Sequence, residues 1–164
     1  MKKTIVIYGS STGTCEGIAQ TIARKLDVKA LSVINLTADV INENDNLLLG
    51  TSSWGSGEMQ DDWYDGVKVL AETGLSGKTV ALFGCGDSDS NSDTFCGGMS
   101  ELYKAAKEAG ANILEGVSAD DYTFDESESV VDGKFVGLAL DNMNEEDKTE
   151  KRINAWLEKI KPAL

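Results

Sequence analysis

A β-branched run of strand length, Thr4 to Tyr8 (TIVIY), passes through Gly9-Ser10-Ser11-Thr12-Gly13-Thr14-Cys15-Glu16 into Ile18, Ile22 and Leu26, apolar positions spaced by four. A run that is apolar at every position suits a strand buried on both faces, and a spacing of four marks one face of a helix. The unit recurs. Leu47 to Thr51 (LLLGT) is a second buried strand, and Trp63, Val67 and Leu70 mark the helix after it. Thr79 to Phe83 (TVALF) is a third, followed by a polar loop to about Thr94 and then by Leu102, Ala105, Ala106 and Ala109, with Gly110 placed to close that helix. Ile113 to Val117 predicts a fourth core strand, while Val28 to Leu36 alternates only loosely. Ile153, Trp156, Leu157 and Ile160 share one face of a last helix that Pro162 ends. Strands alternating with helices over short connections predict an α/β fold, a parallel sheet covered on both faces and joined by right-handed crossovers.

One segment breaks the rhythm. Asp120 to Asp147 is rich in acids and carries a separate strand-like run, Phe135 to Leu140 (FVGLAL). It cannot bury a core of its own, so it reads as an insertion near the last sheet strand, and residues 1–164 as a single domain.

Composition removes whole classes of chemistry. The chain has no histidine, which excludes Ser-His-Asp and Cys-His catalysis and any histidine metal ligand. Acidic residues outnumber basic ones 28 to 15, a formal net charge of −13, which argues against nucleic acid and anionic membrane and for a basic protein partner or plain solubility. Cys15, Cys85 and Cys96 include no pair with zinc-site or CxxC spacing and form no disulfide framework, as expected in a reducing compartment. The first apolar run stops at Tyr8-Gly9, too short for a signal-peptide core, and no stretch suits a membrane span; the expectation is a cytoplasmic protein.

In open α/β sheets ligands collect at the carboxyl ends of the strands, which singles out three loops. The first, Gly9 to Glu16, offers hydroxyls, glycines and free amides at a helix N-terminus, and so predicts a phosphate site; the alternative is a serine-rich turn with a helix cap. A nucleoside-triphosphate loop would need Gly-Lys-Ser/Thr where this chain has Gly13-Thr14-Cys15, so the expected ligand is a monophosphate held by neutral donors. The second loop, Thr51-Ser52-Ser53-Trp54-Gly55-Ser56-Gly57-Glu58, sets a tryptophan among small polar residues, where it can stack on a planar heterocycle or pack beneath its own loop. The third, Gly84-Cys85-Gly86-Asp87 through Ser88, Asp89, Ser90, Asn91, Ser92 and Asp93 to Thr94-Phe95-Cys96, has backbone groups that suit the polar edge of the same ring; the alternative is a mobile acidic loop.

The phosphate loop, the Ser-Ser-Trp-Gly loop followed by Glu58-Met59-Gln60-Asp61-Asp62-Trp63, and Phe83-Gly84-Cys85-Gly86-Asp87 followed by Phe95-Cys96-Gly97 together resemble flavodoxin along the whole chain. Gly133 to Asp141 resembles the insertion that splits the last strand in the long-chain branch. The resemblance implies a three-layer doubly wound fold with a five-stranded parallel sheet of order 2-1-3-4-5, its last strand split. It also implies non-covalently bound FMN and low-potential one-electron transfer between a reductase and acceptor proteins, with no substrate turnover of the protein's own.

Carried onto this chain, the resemblance has Ser10, Ser11, Thr12, Gly13, Thr14 and Cys15 wrap the phosphate, Ser52 and Ser53 line the ribityl chain or ring edge, and Trp54 cover one ring face. The peptide of Gly55 would face the ring's N5, and the backbone of Asp87, Thr94 and Cys96 would meet the pyrimidine edge. Two positions depart from the family. Cys15 replaces the usual threonine, and no aromatic lies between Asp87 and Thr94, where a tyrosine usually covers the other ring face; the aligned position is Asn91 or Ser92.

The implied partner is the basic surface of a flavodoxin/ferredoxin reductase or another redox protein, met by a monomer, with Asp61, Asp62, Asp87, Asp89 and Asp93 steering the encounter and disfavouring added negative charge on the ring. The alternatives are a small FMN-dependent quinone or NAD(P)H reductase, which would need a pocket for a second substrate, and a signalling domain that has lost its cofactor.

Overall fold

Alternation along the central strands divides the core in two. Ile5, Ile7, Leu47, Leu49, Val80 and Leu82 pack on one side of the sheet, and Val6, Leu48, Ala81 and Phe83 on the other. Both sets are buried, which is why these stretches read as continuous apolar runs. The computed structural model describes residues 1–54 and 57–164. In chain order the elements are β1 (Thr4–Gly9), α1 (Thr14–Leu26), β2 (Lys29–Ser32), α2 (Ala38–Glu43), β3 (Asn46–Trp54), β4 (Glu58–Met59), α3 (Trp63–Thr73), β5 (Thr79–Cys85), α4 (Gly98–Glu108), β6 (Asn112–Ile113), β7 (Val130–Val131), β8 (Lys134–Phe135), β9 (Leu138–Leu140) and α5 (Glu146–Ile160).

The sheet runs β2-β1-β3-β5-β6, with all four of these pairings parallel, and β9 also lies parallel against β5. The register places Val6 beside Leu48 and Leu48 beside Ala81, so the row facing one helical layer is continuous across three strands. On that side pack Ile18, Ile22 and Leu26 of α1 and Ile153, Trp156, Leu157 and Ile160 of α5; the other side holds Trp63 and Leu70 of α3 and Met99 and Leu102 of α4. This is the expected three-layer arrangement.

The fifth position is split, with boundaries that differ from those expected. Thr79 and Val80 pair with Asn112 and Ile113, whereas Phe83 to Cys85 pair with Leu138 to Leu140. Leu114 N still donates to Val80 O at 2.8 Å, and then the chain leaves the sheet, so the run to Val117 is not a full core strand. Departure and return are packed at two glycines: a Cβ at Gly116 would lie 2.0 Å from Phe135 O, and one at Gly137 2.2 Å from Leu82 O. The insertion therefore spans 114–137 rather than 120–147, because Leu138–Leu140 belongs to the main sheet and Glu146 and Asp147 form the acidic first turn of α5. The expected run Phe135–Leu140 is cut in two for the same reason, its first residue pairing with β7 in a hairpin turned by Asp132 (φ 53°) and Gly133 (φ 80°). The short helix α2, capped by Thr37 Oγ1 accepting from Val40 N, escapes the sequence reading because only Ile41 of its six residues is buried.

The insertion is anchored by aromatics. Tyr122 and Phe135 pack edge to face at 4.9 Å, and Phe95 stacks on Phe124 at 5.4 Å. The Arg152 guanidinium of α5 lies 3.9 Å from the Tyr122 ring centre, with its Nη2 donating to Asp121 O and Glu145 Oε1. Burial pushes the Tyr122 hydroxyl up, and it donates to Ala139 O at 2.7 Å.

Candidate functional site

The three loops singled out in the sequence lie at the carboxyl ends of β1, β3 and β5. In the first, Gly13 adopts φ 92°, an angle that costs a glycine little, and helix α1 starts at Thr14 without a side-chain cap. Gly17 N donates to Gly13 O at 2.9 Å, the first bond of the helix. The amides of Thr14, Cys15 and Glu16 precede that bond, and among the described residues they have no hydrogen-bond partner; the same holds for the amides of Ser11 and Thr12. Unpaired N–H groups on one helix N-terminus form an anion site. Ser10 Oγ accepts from Gly13 N at 3.1 Å, which keeps its own proton available.

Cys15 contributes only its backbone to this loop. Its side chain is fully buried in the core beneath α1, and contact with the Cys85 thiol together with burial pushes the Cys15 thiol well above its usual range. The substitution of sulfur for a hydroxyl is thus made on the core side of the cradle.

The second loop returns to the sheet as β4, pairing Ser53 with Met59 and Trp54 with Glu58. Trp54 is 41% exposed, so it does not pack beneath its own loop; its Nε1 donates to Ser52 Oγ at 2.8 Å. Ser53 Oγ is turned toward α4, where it accepts from Gly98 N at 2.9 Å. Gly55, expected to face the ring, lies outside the described residues.

In the third loop Asp87 Oδ1 accepts from Asp89 N, Ser90 N and Asn144 Nδ2, at 2.9 to 3.1 Å. These bonds, led by that from Ser90 with that of Asn144 next, hold the Asp87 carboxyl below its usual range. Asp87, Asn91, Thr94 and Cys96 face one narrow cleft together with Ser53, Gly57 and Gly86, so the second and third loops meet there. The amides of Asp87 and Cys96 have no hydrogen-bond partner among the described residues, whereas Thr94 uses its N–H and C=O within the loop. Of the two aligned positions, Asn91 faces the cleft; Ser92 is turned away, its Oγ accepting from Asp125 N at 2.8 Å. Among the described residues no group of His, Cys, Asp and Glu is arranged to hold a metal ion.

The family model for flavodoxin matches residues 6–156. The chain belongs to the flavodoxin family. It is 38% identical to flavodoxin 1 of Azotobacter vinelandii, over 96% of this chain and 94% of that one. It is 39% identical to the flavodoxin of Buchnera aphidicola, over 99% and 97%. Among solved structures, the Fusobacterium nucleatum flavodoxin bound to flavin mononucleotide superposes with a TM-score of 0.92 at 34% identity, covering 100% of this chain and 99% of that one.

Two sets of residues in this flavodoxin-family site carry no role in the sequence reading. The insertion buttresses the third loop: Asp125 N and Glu126 N donate to Ser92 O, and the hydroxyls of Ser127 and Ser129 donate to the carbonyls of Phe95 and Cys96 at 2.5 and 2.6 Å. The second is Gln60, 3% exposed, whose side-chain amide reaches Ser11 of the first loop. It stands beside Asp61 and Asp62 in an acidic stretch, and no periodicity distinguishes it there.

Proposed function

We propose that this chain is a one-electron carrier that works on non-covalently bound FMN. The observation that carries the reading is the first loop, where the amides of Ser11, Thr12, Thr14, Cys15 and Glu16 stand together without partners among the described residues and without a lysine or arginine in the loop. That donor set fits a monophosphate dianion and lacks the cation that a triphosphate needs. Solvent-open Trp54 supplies an aromatic face, and the free amides of Asp87 and Cys96 supply donors for the carbonyl edge of a planar ring. Bound FMN supplies the one-electron chemistry; the protein binds, orients and biases it.

The residues assigned to the cofactor are Ser10 through Cys15 for the phosphate, Ser52, Trp54 and Gly55 for the ring side of the second loop, and Asp87, Asn91, Thr94 and Cys96 for the third. Ser53 joins them from the cleft it lines with the third loop, its hydroxyl also accepting from the first amide of α4. The molecule acts as a single domain over 1–164 and as a monomer in the cytoplasm; separately, no described helix is long and apolar enough to cross a membrane. Its partner is a redox protein with a basic face. Asp61 and Asp89 are exposed beside the second and third loops, so association slows and weakens as salt rises.

The reading is tested by anaerobic reduction of the purified protein under visible spectroscopy, with fluorescence quenching of added FMN by stripped protein. A flavin spectrum that bleaches in one-electron stages, at one flavin per chain, is the expected result. A colourless protein that leaves FMN fluorescence unchanged overturns it, and oxidation of the reduced protein by NADP+ alone would transfer the assignment to a reductase.

A further inference from the structure

Gln60 occupies a position where an amide, rather than a carboxylate or an apolar side chain, has a consequence for anion binding. Asp62 N donates to its Oε1 at 2.9 Å, which fixes the amide orientation, because only the oxygen can accept. Nε2 is thereby turned toward Ser11 Oγ at 3.1 Å and Asp62 Oδ2 at 3.0 Å, one acceptor for each of its protons. The Gln60 backbone is pinned as well, its N–H donating to Thr51 Oγ1 at 2.9 Å and its carbonyl accepting from Trp63 N at 3.0 Å. Gly9 leaves the space this requires, since a Cβ there would lie 2.6 Å from Gln60 Oε1.

A serine hydroxyl that accepts from a fixed N–H directs its own proton elsewhere. Ser11 donates to no acceptor among the described residues, and its loop is the one that holds the unpaired amides. We infer that Gln60 is a positioning residue for the cofactor phosphate, holding the Ser11 hydroxyl as a donor toward the anion and tying the phosphate loop to the end of β3. In a cradle with no cation each neutral donor carries a larger share of the binding, so the polarity of this one amide counts. Gln60 touches no ligand itself; it acts through Ser11. The inference rests on the reading that this loop takes the FMN phosphate.

The test compares FMN with riboflavin, which shares the ring and ribityl chain and lacks the phosphate. Full-length protein stripped of flavin is titrated with each by fluorescence quenching, as wild type, Gln60→Met, Ser11→Ala and the double variant. In Gln60→Met, FMN binding is expected to weaken about five- to tenfold, the size of one ordinary neutral hydrogen bond, while riboflavin binding stays within about twofold. In the Ser11→Ala background, Gln60→Met is expected to add nothing to the FMN loss, because the two residues act as one unit.

Equal losses for both ligands would reduce Gln60 to a structural support and overturn the inference, as would wild-type FMN affinity in Gln60→Met. Wild-type protein that binds riboflavin as tightly as FMN would instead overturn the phosphate reading itself. Gln60→Glu provides the same comparison if the methionine variant shows no cooperative thermal transition. The glutamate carboxylate would accept a hydrogen bond from the Ser11 hydroxyl and turn that donor away from the anion, so an FMN-selective loss larger than tenfold is expected and an FMN loss matched by riboflavin would count against the inference.

Discussion

The Ser129 hydroxyl donates to the Cys96 carbonyl at 2.6 Å, and both residues are fully buried. Cys96 is one of only a few non-glycine residues at positive φ among the described residues, at 51°, a conformation that persists when its surroundings hold it. A residue of the insertion therefore holds the backbone of the third loop at the point where Cys96 lines the cleft. The Cys96 carbonyl also accepts from Met99 N at 3.2 Å, so losing Ser129 weakens this site without orphaning it. Ser129→Ala should cost about 1 kcal/mol of stability and weaken FMN several-fold. Urea unfolding with FMN titration reads both, and unchanged FMN affinity alongside the stability loss would show that the buttress does not reach the cofactor.

Gly9→Ala tests the space beneath the phosphate loop. Its Cβ would come within 2.6 Å of both Gln60 Oε1 and Trp63 Cδ1, and the indole is held by its own bond from Nε1 to Gly50 O at 2.8 Å. Neither neighbour can yield without losing a hydrogen bond, so overpacking should destabilise the protein by about 1–3 kcal/mol. Thermal unfolding of the alanine variant checks it. Gly13→Ala serves as contrast: a Cβ there meets nothing within 4 Å, so its cost comes only from the backbone angle.

Much of this site was legible because its backbone is dictated locally. A strand buried on both faces, a glycine-bounded turn and a spacing of four determine β1, the first loop and α1 without tertiary information. The same logic failed at Ile113–Val117, where an apolar run leaves the sheet because two glycine contacts, at Gly116 and Gly137, decide where the strand splits. It also failed at Gln60 and Ser129, polar residues whose burial is created by distant segments. Cys15, read as the end of the first loop, stands in the first turn of α1, and its sulfur meets Cys85, a contact between segments far apart in the chain that no local pattern announces.

Asp87 gives the third loop a pH dependence. Its carboxyl is held below the usual range by donors from Ser90, Asn144 and Asp89. A group whose pKa is depressed on folding contributes stability above its unfolded value of about 4 and loses it as pH falls through the lower folded value. Asp87→Asn should therefore be less stable than wild type near neutrality, and the gap should close below about pH 4. Urea midpoints measured across that range decide it; a gap of constant size would mean that the carboxylate charge is not what the loop uses.

Asn91 is where this chain lacks the aromatic that its family resemblance leads one to expect, and the structure separates it from its neighbour. Asn91 faces the cleft with Asp87, Thr94 and Cys96, whereas Ser92 is engaged by Asp125 and Glu126 of the insertion. Asn91→Tyr should add a stacking face and tighten FMN by about 0.5–1.5 kcal/mol. If the added contact favours the oxidised ring alone, the first reduction potential falls by about 20–65 mV, at 59 mV per tenfold for one electron. Ser92→Tyr should do neither, and should lower stability by removing the hydroxyl that accepts from Asp125 N. Spectroelectrochemistry and flavin titration on the two variants give the comparison. Equal behaviour of the pair would mean that neither position reaches the ring, and tightening confined to Ser92→Tyr would reverse the assignment.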